Sequence, residues 1–238
     1  MSTLQNTRIL LVGGSSGIAR RIAEYAVAAG AEVVLGSRRP EALADTVAEL
    51  GSGASAVHLD LDDESSIAAA VTTLGPLDHV VSLAANHANG PVADLDRAAV
   101  EGAFAAKVVG PILLAKHFAP TLRDGGSFVF FSGVAAWKPA PGLAVMATTN
   151  GAVAFLAEAL AVELAPLRVN AVSPGIVDSG AWDGMGDGKQ KMFDATAASN
   201  PARRVGRPED VSAAVLLALT NTFVTGTTLH VDGGGRLS

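Results

Sequence analysis

The stretch Ile9-Leu10-Leu11-Val12-Gly13-Gly14-Ser15-Ser16-Gly17-Ile18-Ala19 decides the fold. Four apolar residues in a row make a short strand buried on both faces. The glycines that stop it lead directly into a helix-forming run that starts at Ile18 and continues through Ile22 and Ala23. A strand of this kind belongs in a parallel sheet covered by helices, so the segment reads as the first half of a βαβ unit. Within the turn, Gly13 permits a tight bend, Gly17 lets the backbone come close to an anion, and small Ala19 allows the helix to pack near the strand. Ser15, Ser16 and Ile18 complete the cradle, and the helix N-terminus faces whatever anion lies there. A glycine-rich turn alone could be a plain strand-to-helix connection; the strand before it and the helix after it point to diphosphate binding.

Working outward, short β-branched runs alternate with Ala-rich helical stretches along the whole chain. Strands are expected at residues 8–12, 32–36, 54–59, 79–84, 127–132, 168–173 and 227–231. Right-handed crossovers with one reversal after the third strand predict an α/β, doubly wound Rossmann domain with a seven-stranded parallel sheet in the order 3-2-1-4-5-6-7. Its ligand crevice would lie at the carboxyl ends of strands one and four. With 238 residues and no linker or repeat, the chain is expected to be one domain over residues 1–238. Residues 178–200, with Gly180, Gly184, Gly186 and Gly188 among polar residues, are expected to be a mobile substrate lid.

Composition narrows the function. The formal net charge of -6 gives no general attraction to nucleic acid, so phosphate recognition must be local. The absence of cysteine excludes disulfides, thiolate catalysis and Cys-based metal sites, and no metal site is expected. The first apolar run ends in glycines and not in a signal-peptide cleavage site, so a cytoplasmic location is expected. The apolar stretch around residues 144–165 is interrupted by Glu158 and Glu163 and is read as a core helix, with no membrane association.

The Gly-rich turn, together with four further stretches, resembles the short-chain dehydrogenase/reductase family. The family's Thr-Gly-x-x-x-Gly-x-Gly is met here by Val12 through Ala19, with Val12 and Ala19 replacing its first and last residues. Asp60 in His58-Leu59-Asp60-Leu61 falls on the family's adenine-contacting Asp, with Leu61 beside it. Asn170 through Gly175 matches the stretch leading to the nicotinamide-side Pro174-Gly175-Ile176, and Ser179 falls on the carboxamide-contacting Thr. Gly206-Arg207-Pro208-Glu209-Asp210 and Val224 through Gly234 are also typical, so the resemblance covers nearly the whole chain. In NAD-preferring members an acidic residue ends strand two; this chain has Gly36-Ser37-Arg38-Arg39 there. A guanidinium can hold a 2′-phosphate through paired charge-assisted hydrogen bonds, so the resemblance implies NADP(H), with Arg38 the stronger candidate. The alternative is a solvated arginine pair ahead of the second helix.

The family's catalytic Asn, Ser, Tyr and Lys are not found in place. Alignment puts Lys107 on the Asn, Gly133 on the Ser, Met146 on the Tyr and Asn150 on the Lys, while the chain's one tyrosine, Tyr25, belongs to the first helix. Asn and Lys thus look exchanged between two helices. Lys107 is the first catalytic candidate, as a partly desolvated ammonium of lowered pKa, and Asn150 is its companion. Pro111, four residues after Lys107, has no N–H and would free the Lys107 carbonyl to hold a water. The alternative is a surface lysine beside a helix kink. His87, after strand four in Ser82-Leu83-Ala84-Ala85-Asn86-His87, could donate a proton or merely be solvated, and Ala84 joins the cofactor set. Ser132 is a further candidate, although strand alternation would turn it to the other face. Met146, Trp137 and Trp182 are expected to shape an apolar substrate pocket.

These features favour an NADP(H)-dependent oxidoreductase with a rerouted proton path, acting on a small carbonyl, imine or activated alkene. The rivals are a cofactor-binding protein without turnover and a non-redox lyase or isomerase. Apolar residues on several faces of the helices carrying Lys107 and Asn150 predict a homotetramer, or a homodimer.

Overall fold

Seven strands form one parallel sheet in the computed structural model, which describes residues 3–238. They are β1 (Arg8–Val12), β2 (Glu32–Ser37), β3 (Ala54–His58), β4 (Leu77–Ser82), β5 (Leu122–Phe131), β6 (Arg168–Pro174) and β7 (Thr228–Val231), in the order β3-β2-β1-β4-β5-β6-β7. The expected order is therefore observed. β5 starts five residues earlier than expected and ends at Phe131, and β4 stops at Ser82, so Ser132, Leu83 and Ala84 belong to the loops at the carboxyl edge.

Alternation along β1 explains why both sheet faces are covered. Ile9 and Leu11 join a core with Ile22, Ala23 and Ala26 of α1 (Gly17–Ala28) and with Val211, Val215 and Leu219 of α8 (Pro208–Thr220). Leu10 and Val12 join a second core with Ile67 of α3 (Glu64–Leu74), Leu114 and Phe118 of α5 (Gly110–Phe118), and Val153, Ala157 and Leu160 of α6 (Ala144–Glu163). Leu10, Ile9 and Phe128 are wholly buried, each contributing roughly 1.5–3 kcal/mol of apolar burial.

The remaining helices are α2 (Ala44–Leu50), α4 (Arg97–Phe104) and α7 (Gly188–Ser199). Their starts follow local chemistry: Asp63 caps α3 by accepting from Ser65 N–H at 2.9 Å, and Asp96 caps α4 by accepting from Ala99 N–H at 2.8 Å. α8 opens with Pro208 and a box in which Asp210 accepts from Arg207 N–H at 2.8 Å. The helical run Arg97–Thr121 and α6 are long and apolar enough to cross a membrane, with mean hydropathy 1.6 and 1.5, yet both pack on the second core. The segment expected to be a lid is half helical: α7 occupies Gly188–Ser199 and buries only Phe193.

Candidate active site

The β1–α1 turn adopts the backbone that the glycines foretold. Gly13 and Gly17 have φ of +99° and +53°, in the region that side chains disfavour. A Cβ on Gly13 would come within 2.3 Å of Ala84 N, so the β4 loop packs directly on the turn. A Cβ on Gly17 would lie 2.3 Å from Ser179 O, which brings the segment after β6 against the same turn. No side chain caps α1 at Ser16, and no acidic residue sits in its first turn, so its N–H groups are left for an anion.

Beside this turn a cleft of about 330 Å³ crosses the carboxyl ends of β1, β2 and β4. Gly13, Ser37, Arg38, Asp60, Leu61 and Ala84 line it, which gathers six of the expected cofactor residues from four separate segments. Arg38 is exposed at the rim and has no ion-pair partner among the described residues. Arg39 stands outside the lining, its N–H donating to Ser37 Oγ at 3.1 Å. Asp60 is fixed locally: its N–H donates to Ser66 Oγ at 2.8 Å, and its carboxylate accepts from Asp62 N–H at 3.0 Å. Pro174, Gly175 and Ile176 lie at the end of β6, where a Cβ on Gly175 would meet Asp232 Cα at 2.7 Å. The uncapped helix, unpaired guanidinium and glycine cradle together fit a dinucleotide with an additional phosphate on its adenosine ribose. Asp62, Asn86 and Ala106 also line the cleft and were missed; Ala106 is brought there from helical sequence with no binding motif.

Next to Ala106 the helix changes pitch. Ala105–Val109 is a π-helical turn in which Gly110 N–H donates to Ala105 O, five residues back. Pro111 has no N–H to offer Lys107 O, so the wide turn forms where the α-helical bonding is already broken. Here Lys107 is buried, at 5% exposure, and is no surface lysine beside a kink. Its ammonium donates to Phe131 O at 2.9 Å, Ser132 O at 3.3 Å and Asn150 Oδ1 at 2.6 Å. Burial pulls its pKa down from 10.5 to about 8. The two residues that the sequence suggested were exchanged thus touch across β5, α6 and the π turn.

Ser132 does not turn away as strand alternation implied. β5 has ended at Phe131, and the Ser132 hydroxyl donates to Asn150 O at 2.7 Å, tying the strand end to α6. A Cβ on Gly133 would also meet Asn150, at 2.9 Å from Nδ2. Met146 is buried one turn before Asn150 on α6. His87 lies exposed in the β4–α4 loop and has no hydrogen bond among the described residues. Trp182 is held by its indole N–H donating to Val177 O at 3.0 Å. Trp137 packs edge-on against His230, ring centroids 4.5 Å apart, a contact the sequence reading did not foresee. Tyr25 is on α1, on the other face of the sheet, among Ile176, Glu209 and Gly206.

Comparison with known proteins agrees with this architecture. The family model described as Enoyl-(Acyl carrier protein) reductase matches residues 12–235. A short-chain dehydrogenase/reductase of Stachybotrys chlorohalonatus is 32% identical over 253 residues, covering 100% of both chains. A solved small-chain dehydrogenase in complex with NADPH superposes with a TM-score of 0.83 at 32% identity, over 98% of this chain and 100% of that one. A short-chain dehydrogenase/reductase from Brucella melitensis gives a TM-score of 0.90 at 30% identity, over 99% of each chain. Across its whole length, from the glycine turn of β1 to the end of β7, the chain belongs to the short-chain dehydrogenase/reductase family.

Proposed function

We propose that the chain is a cytoplasmic NADP(H)-dependent oxidoreductase whose centre is built on Lys107 and Asn150, acting on a small carbonyl, imine or activated alkene. The observation that carries this reading is the 2.6 Å contact between Lys107 Nζ and Asn150 Oδ1, buried at the carboxyl edge one residue from the cleft. When bound, the reduced nicotinamide supplies a hydride. Gly13, Gly17 and the α1 N-terminus would hold the diphosphate, Arg38 would take the 2′-phosphate, and Asp60 would meet the adenine; that a relative is solved in complex with NADPH supports the choice of cofactor. Pro174, Gly175 and Ser179 would face the nicotinamide side, and residues 178–200 would close over the acceptor. No phenol reaches this centre, because the single tyrosine lies across the sheet. Losing such an acid lowers a rate by ~10²–10⁴, whereas positioning of donor and acceptor is retained.

A second reading is favoured by one observation: the three donors of Lys107 are all engaged by protein acceptors, as in a purely structural lysine. The protein would then bind the cofactor without turnover. Following NADPH absorbance against a panel of ketones, imines and activated alkenes separates the two. Oxidation with any acceptor class supports the enzyme; tight NADPH binding by calorimetry with no oxidation supports the second reading.

The proposal extends to a homotetramer. Val109, Ile112, Phe155 and Val162 are exposed on the π turn, α5 and α6, at 46%, 44%, 72% and 82%, apolar side chains that a neighbouring subunit would cover. A monomer mass by light scattering at micromolar concentration would rule it out.

A further inference from the structure

Resting on the oxidoreductase reading, we propose that the side-chain amide nitrogen of Asn150 is the group that touches the acceptor's oxygen as negative charge develops there, with Lys107 as its positioning residue. An ammonium has only donors, so Lys107 must face the amide oxygen of Asn150, and the 2.6 Å contact fixes the amide's orientation. The nitrogen Nδ2 therefore points away from Lys107, beside Gly133, where even a methyl group would intrude to 2.9 Å. It has no hydrogen-bond partner among the described residues. It is also absent from the fully buried unpartnered atoms, which among the described residues are Arg168 Nε, Ser173 Oγ and His230 Nδ1, so a small part of it stays accessible although Asn150 as a whole is only 3% exposed.

Charge points the same way. Among the described residues no carboxylate lies within ion-pair distance of Lys107, which leaves a buried cation balanced only by carbonyl dipoles. Such a cation polarises the amide it holds and favours an anion on the amide's far side. Ser132 locks the backbone of Asn150 from beneath through its 2.7 Å bond, so the donor is fixed before any acceptor arrives. In the reaction, the hydride given up from a C–H bond of the reduced cofactor, which would be left as NADP+, would form the new C–H bond at the acceptor carbon while the π pair moves to oxygen. Asn150 Nδ2 donates to that oxygen, and a proton from water completes the product and leaves hydroxide.

The test uses 4-nitrophenolate as a stable oxyanion, titrated into the full-length protein saturated with NADP+, with the Asn150 side-chain amide followed by nitrogen-15 NMR. The phenolate should bind and shift the Asn150 amide signal. Asn150→Asp keeps an oxygen for Lys107 but removes the donor. It should retain the melting temperature and NADP+ affinity while losing phenolate affinity by at least about tenfold, the factor for a lost hydrogen bond to a charged group. Lys107→Met should move the free amide signal and weaken the phenolate by a similar factor. No phenolate binding to the wild type, an unmoved Asn150 signal, or equal affinity in Asn150→Asp would overturn the proposal. Should Asn150→Asp not fold, the wild-type amide shift decides alone. The acceptor screen with NADPH judges the oxidoreductase reading separately, so the two can fail independently.

Discussion

The adenosine side of the site and the Lys107–Asn150 side lie on the same sheet edge, yet they are built differently. The first is made of backbone and glycine: Gly13, Gly17, an uncapped helix end, and an exposed arginine with no ion-pair partner among the described residues. The second is a web of buried side chains, in which Lys107, Ser132 and Asn150 are hydrogen-bonded to one another at 3.3 Å or less. A diphosphate can be held by any backbone with the right turn, so that half follows the family pattern closely. Chemistry at the other half depends on which side chain occupies each position and on how distant segments pack around it. Binding and turnover are therefore separable in this molecule, and variants should show it.

The largest separation is expected from Lys107→Ala. Removing the cation should lower turnover of any accepted substrate by ~10³, within the range for losing a catalytic proton or charge partner, while NADPH affinity falls by no more than about tenfold. Steady-state kinetics beside calorimetry checks both. Full activity would move the chemistry to exposed His87, whose replacement by Ala should then be the damaging change.

A change at the far end of the sheet should affect neither half. His79 is buried near the start of β4, its Nδ1 2.9 Å from Ser127 Oγ. Burial, opposed by Asp78 and aided by Arg168, lowers its pKa from 6.5 to about 4. The unfolded chain therefore takes up a proton between these values that the folded chain refuses. Stability is complete above pH 6.5 and should fall by ~3 kcal/mol as pH drops toward 4. Urea titrations at stepped pH should show this slope, and His79→Gln should flatten it.

Gly13→Ala should break the adenosine side. Its Cβ would strike Ala84 N at 2.3 Å and sit at a φ of +99°, so NADPH affinity should fall by ~100-fold, or ~2.7 kcal/mol. The smallest effect is at Arg38: NADPH should bind at least ~tenfold tighter than NADH, ~1.4 kcal/mol, and Arg38→Asp should erase the difference. Calorimetric titrations with equal affinities in the wild type would remove Arg38 from the phosphate site.

The sequence by itself determined the strand order, the glycine turn and six of the residues that line the cleft beside it. Apolar periodicity and the φ demands of glycine are local properties of the chain and survive being read in one dimension. It also showed that the single tyrosine lies in the first helix, and it raised Lys107 and Asn150 as a candidate pair. Only the tertiary structure decided that those two meet, that Ser132 turns toward α6, and that half of the expected lid is helix. Lys107 and Asn150 are 43 residues apart, and their contact depends on a π turn that widens the helix and on β5 ending one residue before Ser132. The direction of a side chain at the end of a strand, and the dryness that lowers a lysine's pKa, arise from packing among distant segments; no pattern of neighbours along the chain encodes them.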